Sequence, residues 1–147
     1  MDETLGIAMG DVSRLMRRRF DERARALGIT RAQWLTLKML SRNEGINQGK
    51  LAELLEVEPI TLGRMLDRLA EAGMVERRPD PADRRAWRIH LTEKARPLIE
   101  QLRAIGISVL GQAFDGIAED RQAEMLALLQ TIRNNLNNIE MQEAANG

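Results

Sequence analysis

The stretch PITLGRMLDRLAEAGMVERRPDPADRRAWRIHLT, residues 59–92, decides the fold. Over residues 59–72 the apolar side chains Leu62, Met65, Leu66 and Leu69 recur at i, i+3, i+4 and i+7, which makes one face of a helix. Thr61, Arg64, Asp67, Arg68 and Glu71 share the opposite side. Pro59 suits the first turn of that helix, and Gly73 sits where a C-terminal stop belongs. The period then changes from 3.6 to 2. Residues 74–78 and 87–91 read as two short strands. Between them, two prolines and two aspartates in Pro79-Asp80-Pro81-Ala82-Asp83-Arg84-Arg85-Ala86 make a hairpin loop.

Upstream of this stretch, residues 48–55 form a short helix with Leu51, Ala52, Leu54 and Leu55 on its apolar side, and Glu56-Val57-Glu58 connects it to Pro59. Two short helices with a tight connection, followed by a two-stranded hairpin, outline a winged helix-turn-helix. A stiff helix with a polar, hydrogen-bonding side fits the major groove of B-DNA. A small loop tipped with Arg84 and Arg85 fits the flanking minor groove, whose negative potential attracts guanidinium groups. The predicted DNA-facing set is Pro59, Thr61, Arg64, Arg68, Arg84, Arg85 and Arg88.

Further out, Thr30 is the expected N-cap of a helix carrying Trp34, Leu37, Met39 and Leu40, broken at Asn43-Glu44-Gly45. Residues 5–27 repeat Leu5, Met9, Val12, Leu15, Met16, Phe20 and Leu27 at helical spacing, with Gly28 as the stop. Beyond the hairpin, Thr92 is the expected N-cap of a helix with Pro97 in its early turns. Leu98, Leu102, Ile105, Val109 and Phe114 form one apolar stripe, and Met125, Leu128, Leu129, Ile132, Leu136 and Ile139 another, with Gly116 and Glu119-Asp120 marking the break. These terminal stripes exceed what one small lobe covers, so they call for a partner. The expected architecture is mainly α (α+β): a winged helix-turn-helix lobe at 31–96, N- and C-terminal dimerisation helices at 1–30 and 97–141, and a flexible tail at 142–147.

Composition sets the outer bounds. The 147 residues suit about one domain. Lys and Arg number 22, as do Asp and Glu, so a polyanion footprint must come from local charge segregation. Residues 61–96 carry a net charge of +3 and residues 97–147 of −4, which puts the basic surface in the middle of the chain. With no cysteine there is no thiolate chemistry or disulfide, and one histidine allows no His-rich metal site. No apolar run is long enough to span a bilayer, and the acidic N-terminus lacks a signal-peptide profile, so a cytoplasmic location is expected. No cofactor is implied. No nucleophile–base pair or Gly-rich phosphate cradle is present, and the best metal-nuclease pair, Asp80 with Asp83, would compete with neighbouring arginines. The expected function is therefore not enzymatic. The alternative to DNA binding is a winged helix used only for protein contact.

The run from Asp80 to Ala95 resembles the signature of MarR-type regulators, particularly the SlyA branch: Asp83, Arg85, Ile89, Leu91 and Thr92 supply its Asp-x-Arg, aliphatic and Leu-Thr positions. Residues 62–69 and 72–75 resemble the family's recognition helix and its exit, while Ala95 stands where many members have Gly. The resemblance implies a homodimer reading a pseudo-palindromic double-stranded operator as repressor or anti-repressor. In it Arg64 would be the base-edge reader, Arg85 the minor-groove residue, and Asp83 the group that orients Arg85. It also implies a small aromatic carboxylate effector bound between the dimer region and the DNA lobe, for which Arg14, Arg17, Trp34 and Lys38 are the candidates; Lys38 stands where close relatives have His. His90 reads as a wing residue near phosphate, and the eight methionines as core filler.

Overall fold

The computed structural model describes residues 3–147. The first helix, α1 (Glu3–Ala26), stops at Gly28, whose φ of +76° a side chain would resist; the amides of Gly28 and Ile29 turn back to the carbonyls of Arg25 and Ala24. Helix α2 (Arg31–Arg42) opens on a complete capping box: the Gln33 amide donates to Thr30 Oγ1 at 3.2 Å and the Thr30 amide to Gln33 Oε1 at 3.0 Å. A two-residue strand, β1 (Ile46–Asn47), comes next; sequence periodicity gave no hint of it, because two residues cannot display a period. Asn47 Oδ1 accepts the Gly49 amide at 2.8 Å and so caps α3 (Gln48–Leu55).

After a left-handed turn at Glu56 (φ +54°), α4 (Pro59–Glu71) begins with proline in its first turn. At its far end the amides of Gly73 and Met74 bond back to Ala70 and Leu69, a Schellman-type stop. Strand β2 (Val75–Pro79) starts one residue later than expected and takes in Pro79, which pairs with Trp87 at the start of β3 (Trp87–Leu91). The antiparallel order β1-β3-β2 makes β2 an edge strand, where a residue without an N–H is tolerated. Helices α5 (Ala95–Ala113) and α6 (Glu119–Asn146) follow.

Two expectations need correction. Thr92 does not cap α5: its hydroxyl donates to the Gly73 carbonyl, left without a partner at the end of α4, and the helix begins at Ala95 after a turn. The segment assigned to a loose tail is helical to Asn146, since Met141-Gln142-Glu143-Ala144-Ala145 are strong helix formers and no glycine interrupts before Gly147.

The core lies where α2, α3, α4 and the sheet meet. Leu37, Leu40, Leu51, Leu62, Leu66 and Ile89 are fully buried there. Each such side chain contributes about 1.5–3 kcal/mol on leaving water. The chain packs as two units, one ending at Leu110 and the other running from Gly111. In the second, α6 has no buried residue, and Leu128 and Leu136 stand 65% and 58% exposed.

Candidate nucleic-acid interface

Helix α4 turns Leu62, Leu66 and Leu69 into the core, with Met65 half-buried beneath the Thr36 hydroxyl, which lies 3.0 Å from its sulfur. The rotation this imposes leaves Pro59, Ile60, Thr61, Arg64, Asp67, Arg68 and Glu71 on the solvent side. Asp67 is committed elsewhere, to Arg77 at 2.7 Å. Arg64 and Arg68 therefore make no ion pair among the described residues. Ile60, 73% exposed at the start of the helix, went unnoticed in the sequence because it breaks the apolar stripe.

The wing is a braced loop. Asp80 Oδ1 accepts the Ala82 amide at 2.8 Å, and its Oδ2 accepts Arg88 Nε at 3.1 Å. The Ala82 amide, then the Arg88 guanidinium, hold the Asp80 carboxyl below its ordinary value despite some desolvation. Asp83 Oδ1 accepts the Arg85 amide at 2.9 Å, so Asp83 shapes the backbone at Arg85 and does not touch its guanidinium. With both carboxylates engaged by backbone amides, the Asp80/Asp83 pair is no open metal cradle, and no metal-holding group of three ligands occurs among the described residues. Arg84 and Arg85 project from the loop unpaired, whereas Arg88 is tied to Asp80 at the base of the hairpin. His90 lies away from the loop, its ring against Gly45: a Cβ at that glycine would come within 3.2 Å of His90 Cε1.

A second feature lies between α1, α2 and α5: a cavity of about 350 Å³. Trp34 and Phe20 form an aromatic wall, with ring centroids 4.2 Å apart, and Lys38 Nζ stands 5.8 Å from the Trp34 ring. Trp34 is fixed from behind, because its Nε1–H donates to Asp21 Oδ1 at 2.8 Å while Arg31 Nε donates to Asp21 Oδ2 at 2.6 Å. Burial pushes the Asp21 carboxyl up, but the Arg31 and Trp34 hydrogen bonds and the nearby positive charge outweigh it, and the net shift is downward. Of the four residues expected to bind an anion, Trp34 and Lys38 line this cavity. Arg14 and Arg17 do not: Arg14 pairs with Asp11, one turn earlier, and Arg17 is exposed on α1. The further cations at the cavity are Arg42, the last residue of α2, and Arg103, midway along α5, which sequence reading missed because the two helices are distant in the chain.

Comparison with known proteins bears on the first of these features. A family model described as the MarR family matches residues 29–87. The solved transcriptional regulator PA3341 is 39% identical over 91% of this chain and 98% of its own, with a TM-score of 0.79. A MarR variant from E. coli, solved with operator DNA, is 30% identical over 88% and 94% of the two chains, with a TM-score of 0.73. A MarR-family regulator from Silicibacter pomeroyi is 29% identical over 87% and 86%, at a TM-score of 0.75. No helix among the described residues is long and apolar enough to cross a membrane.

Proposed function

The chain belongs to the MarR family of DNA-binding transcriptional regulators, which are not enzymes, and on that premise we propose that it is a homodimeric, sequence-specific repressor or anti-repressor of the SlyA-like branch. It acts in the cytoplasm on a pseudo-palindromic operator. Residues 31–96 form its DNA lobe, and the helices at 1–30 and 97–141 join the two protomers. The observation that carries the reading is electrostatic. Arg64, Arg68, Arg84 and Arg85 are exposed and unpaired on the helix and the loop, while Asp67, Asp80 and Asp83 are spent on internal bonds. Free guanidinium groups on a stiff helix suit guanine edges and phosphates, and the same groups on a narrow loop suit the minor groove. Pro59 and Thr61 sit at the leading end of the helix, where a major-groove reader meets base edges, and Arg88 supports the wing from its base. Asp83 acts by holding the Arg85 backbone.

The test is equilibrium binding to a duplex enriched from a random pool, against random duplex, over a range of salt. Arg64→Ala and Arg85→Ala are each expected to cost about 1–3 kcal/mol of specific affinity. No wild-type preference for the enriched duplex at any salt concentration would leave the protein-contact reading in its place.

The cavity supports the effector half of the proposal. Its volume suits a single aromatic ring, Trp34 and Phe20 offer a stacking wall, and Lys38, Arg42 and Arg103 supply positive charge for a carboxylate. Helix α2 lines the cavity with Trp34 and Lys38 and meets α4 through Thr36 and Met65, so a ligand there acts on an element shared with the DNA lobe. Salicylate should alter Trp34 fluorescence in a Trp87→Phe background and do so more weakly when Lys38 is replaced by Ala. An unchanged signal at saturating salicylate would remove the effector from the proposal.

A further inference from the structure

We propose that Arg77 is a positioning residue that locks the wing strand to the recognition helix, so that the two grooves are read as one rigid unit; this inference rests on the DNA-binding reading above. Arg77 lies on β2, the strand that runs on into the wing, and period 2 puts it on the same face as the buried Val75. Its side chain is only 25% exposed. All three guanidinium nitrogens are used. Nε donates to Gln48 Oε1 on α3 at 3.3 Å, one terminal nitrogen donates to the Gly63 carbonyl on α4 at 3.1 Å, and the other pairs with Asp67 Oδ1 on α4 at 2.7 Å.

Gly63 and Asp67 are one helical turn apart, and they flank Arg64 on the same helix. A planar fork held at both points fixes the rotation of α4 about its own axis relative to β2, and it fixes the height of the helix along that strand. Those are the two variables that decide where Arg64 points when Arg84 and Arg85 enter the neighbouring groove. Lysine offers a single ammonium in place of the planar fork and does not reproduce the lock.

Asp67 sharpens the case. It is 61% exposed on the solvent side of α4, where a carboxylate repels an approaching phosphate backbone. Taken as a lone charge, its removal should strengthen binding to every duplex. Taken as the anchor for Arg77, its removal should weaken binding to the preferred duplex. The two roles predict opposite signs.

The experiment measures binding of the full-length dimer to the enriched duplex and to random duplex, from low to moderate salt, for wild type, R77Q, R77K, D67N and R77Q/D67N, with R64A as the reference. We expect R77Q and R77K to lower the ratio of specific to random affinity by tenfold or more. The salt slope on random duplex should stay unchanged, because Arg77 neutralises no phosphate. D67N should lower affinity for the enriched duplex severalfold, and the double variant should be no worse than R77Q alone. A slope reduced by about 0.9 in R77Q would make Arg77 a phosphate contact and overturn the proposal. So would tighter specific binding by D67N, or losses that simply add in the double variant. If R77Q unfolds at the assay temperature, D67N decides the matter alone, since it removes only a charge from an exposed side chain. A wild type with no preference, or an R64A variant that keeps the full preference, places the failure in the DNA-reading assignment itself; a normal R64A loss beside an unaffected R77Q ratio places it in the lock.

Discussion

Helices α4 and α6 make the instructive contrast. The shorter one, Pro59–Glu71, buries three leucines and spends its charges on defined partners or leaves them free in one place. The longer one, Glu119–Asn146, buries nothing, although it carries Leu126, Leu128, Leu129, Leu136 and Ile139. Both are rich in leucine, so hydrophobic content does not separate them; burial does. A helix within the lobe finds its partners inside the same chain. A helix with an apolar stripe and no internal partner is stable in water only if something else covers it. The lobe buries its apolar faces within itself, whereas the apolar residues of the terminal helix stay exposed.

That contrast is most directly broken by placing charge on the stripe. In Leu128→Glu/Leu136→Glu, a dimer would bury four carboxylates without partners, at several kcal/mol each. The expected outcome is a monomer by sedimentation at micromolar concentration, with the helix content of the lobe retained and binding to a two-half-site duplex reduced at least a hundredfold. A variant that still sediments as a dimer would show that α6 is no part of the interface. The converse change, Leu66→Ala, acts in the lobe. It removes a fully buried side chain from the middle of the core and should cost about 2–5 kcal/mol in urea unfolding, with dimerisation of the folded fraction intact. The two substitutions should thus separate stability from assembly.

The same distinction decides how much was legible in the sequence. Helix α3, helix α4 and the strand at Trp87–Leu91 follow from periodicity and from their stops, because their partners are local and their patterns unambiguous. Thr30 was legible because a capping box is a local device. Thr92 misled for the opposite reason: a threonine ahead of a helix reads as a cap, but a carbonyl nineteen residues away claims its hydroxyl. Arg77 was readable in part. An arginine two residues from Val75 on a strand faces inward, and an inward arginine must have partners, although nothing local says that they are Gly63, Asp67 and Gln48. Arg14 and Arg17 were assigned to an anion site by resemblance and do not line the cavity, where Arg42 and Arg103 join the expected Lys38. Cavities gather residues by three-dimensional proximity, which spacing does not encode.

A smaller effect tests the seam where α1 meets the lobe. Asp21 on α1 ties Arg31 and Trp34 of α2 together, and its carboxyl titrates below the ordinary value of about 3.9. A depressed folded-state value means that the unfolded chain binds the proton more readily, so the contribution is fully present above the ordinary carboxylate range and is lost as pH falls through the folded value. The urea midpoint of wild type should exceed that of Asp21→Asn at neutral pH, and the gap should close on acidification below pH of about 4. A gap independent of pH would assign the difference to packing. Asn keeps an acceptor for the Trp34 N–H, so the cavity wall should stay in place while the seam weakens.

The smallest effect concerns the joint between α3 and α4. Glu56 holds a left-handed conformation at φ +54°, the sole non-glycine to do so among the described residues, and backbone bonds hold the turn: its amide bonds to the Glu53 carbonyl, and the Val57 amide returns to Ala52. The left-handed conformation costs a side-chain-bearing residue about 1–2 kcal/mol, and glycine relieves it. Glycine also gains freedom in the unfolded chain, worth about 0.5–1 kcal/mol against folding. The two nearly cancel, so Glu56→Gly should shift stability by less than about 1 kcal/mol, in the stabilising direction. The more telling readout is DNA affinity. If backbone bonds and the Arg77 fork fix the angle between the helices, a looser joint should leave the specific-to-random ratio within a factor of two. A larger loss would mean that the lobe, for all its buried leucines, relies on this one strained residue to aim α4.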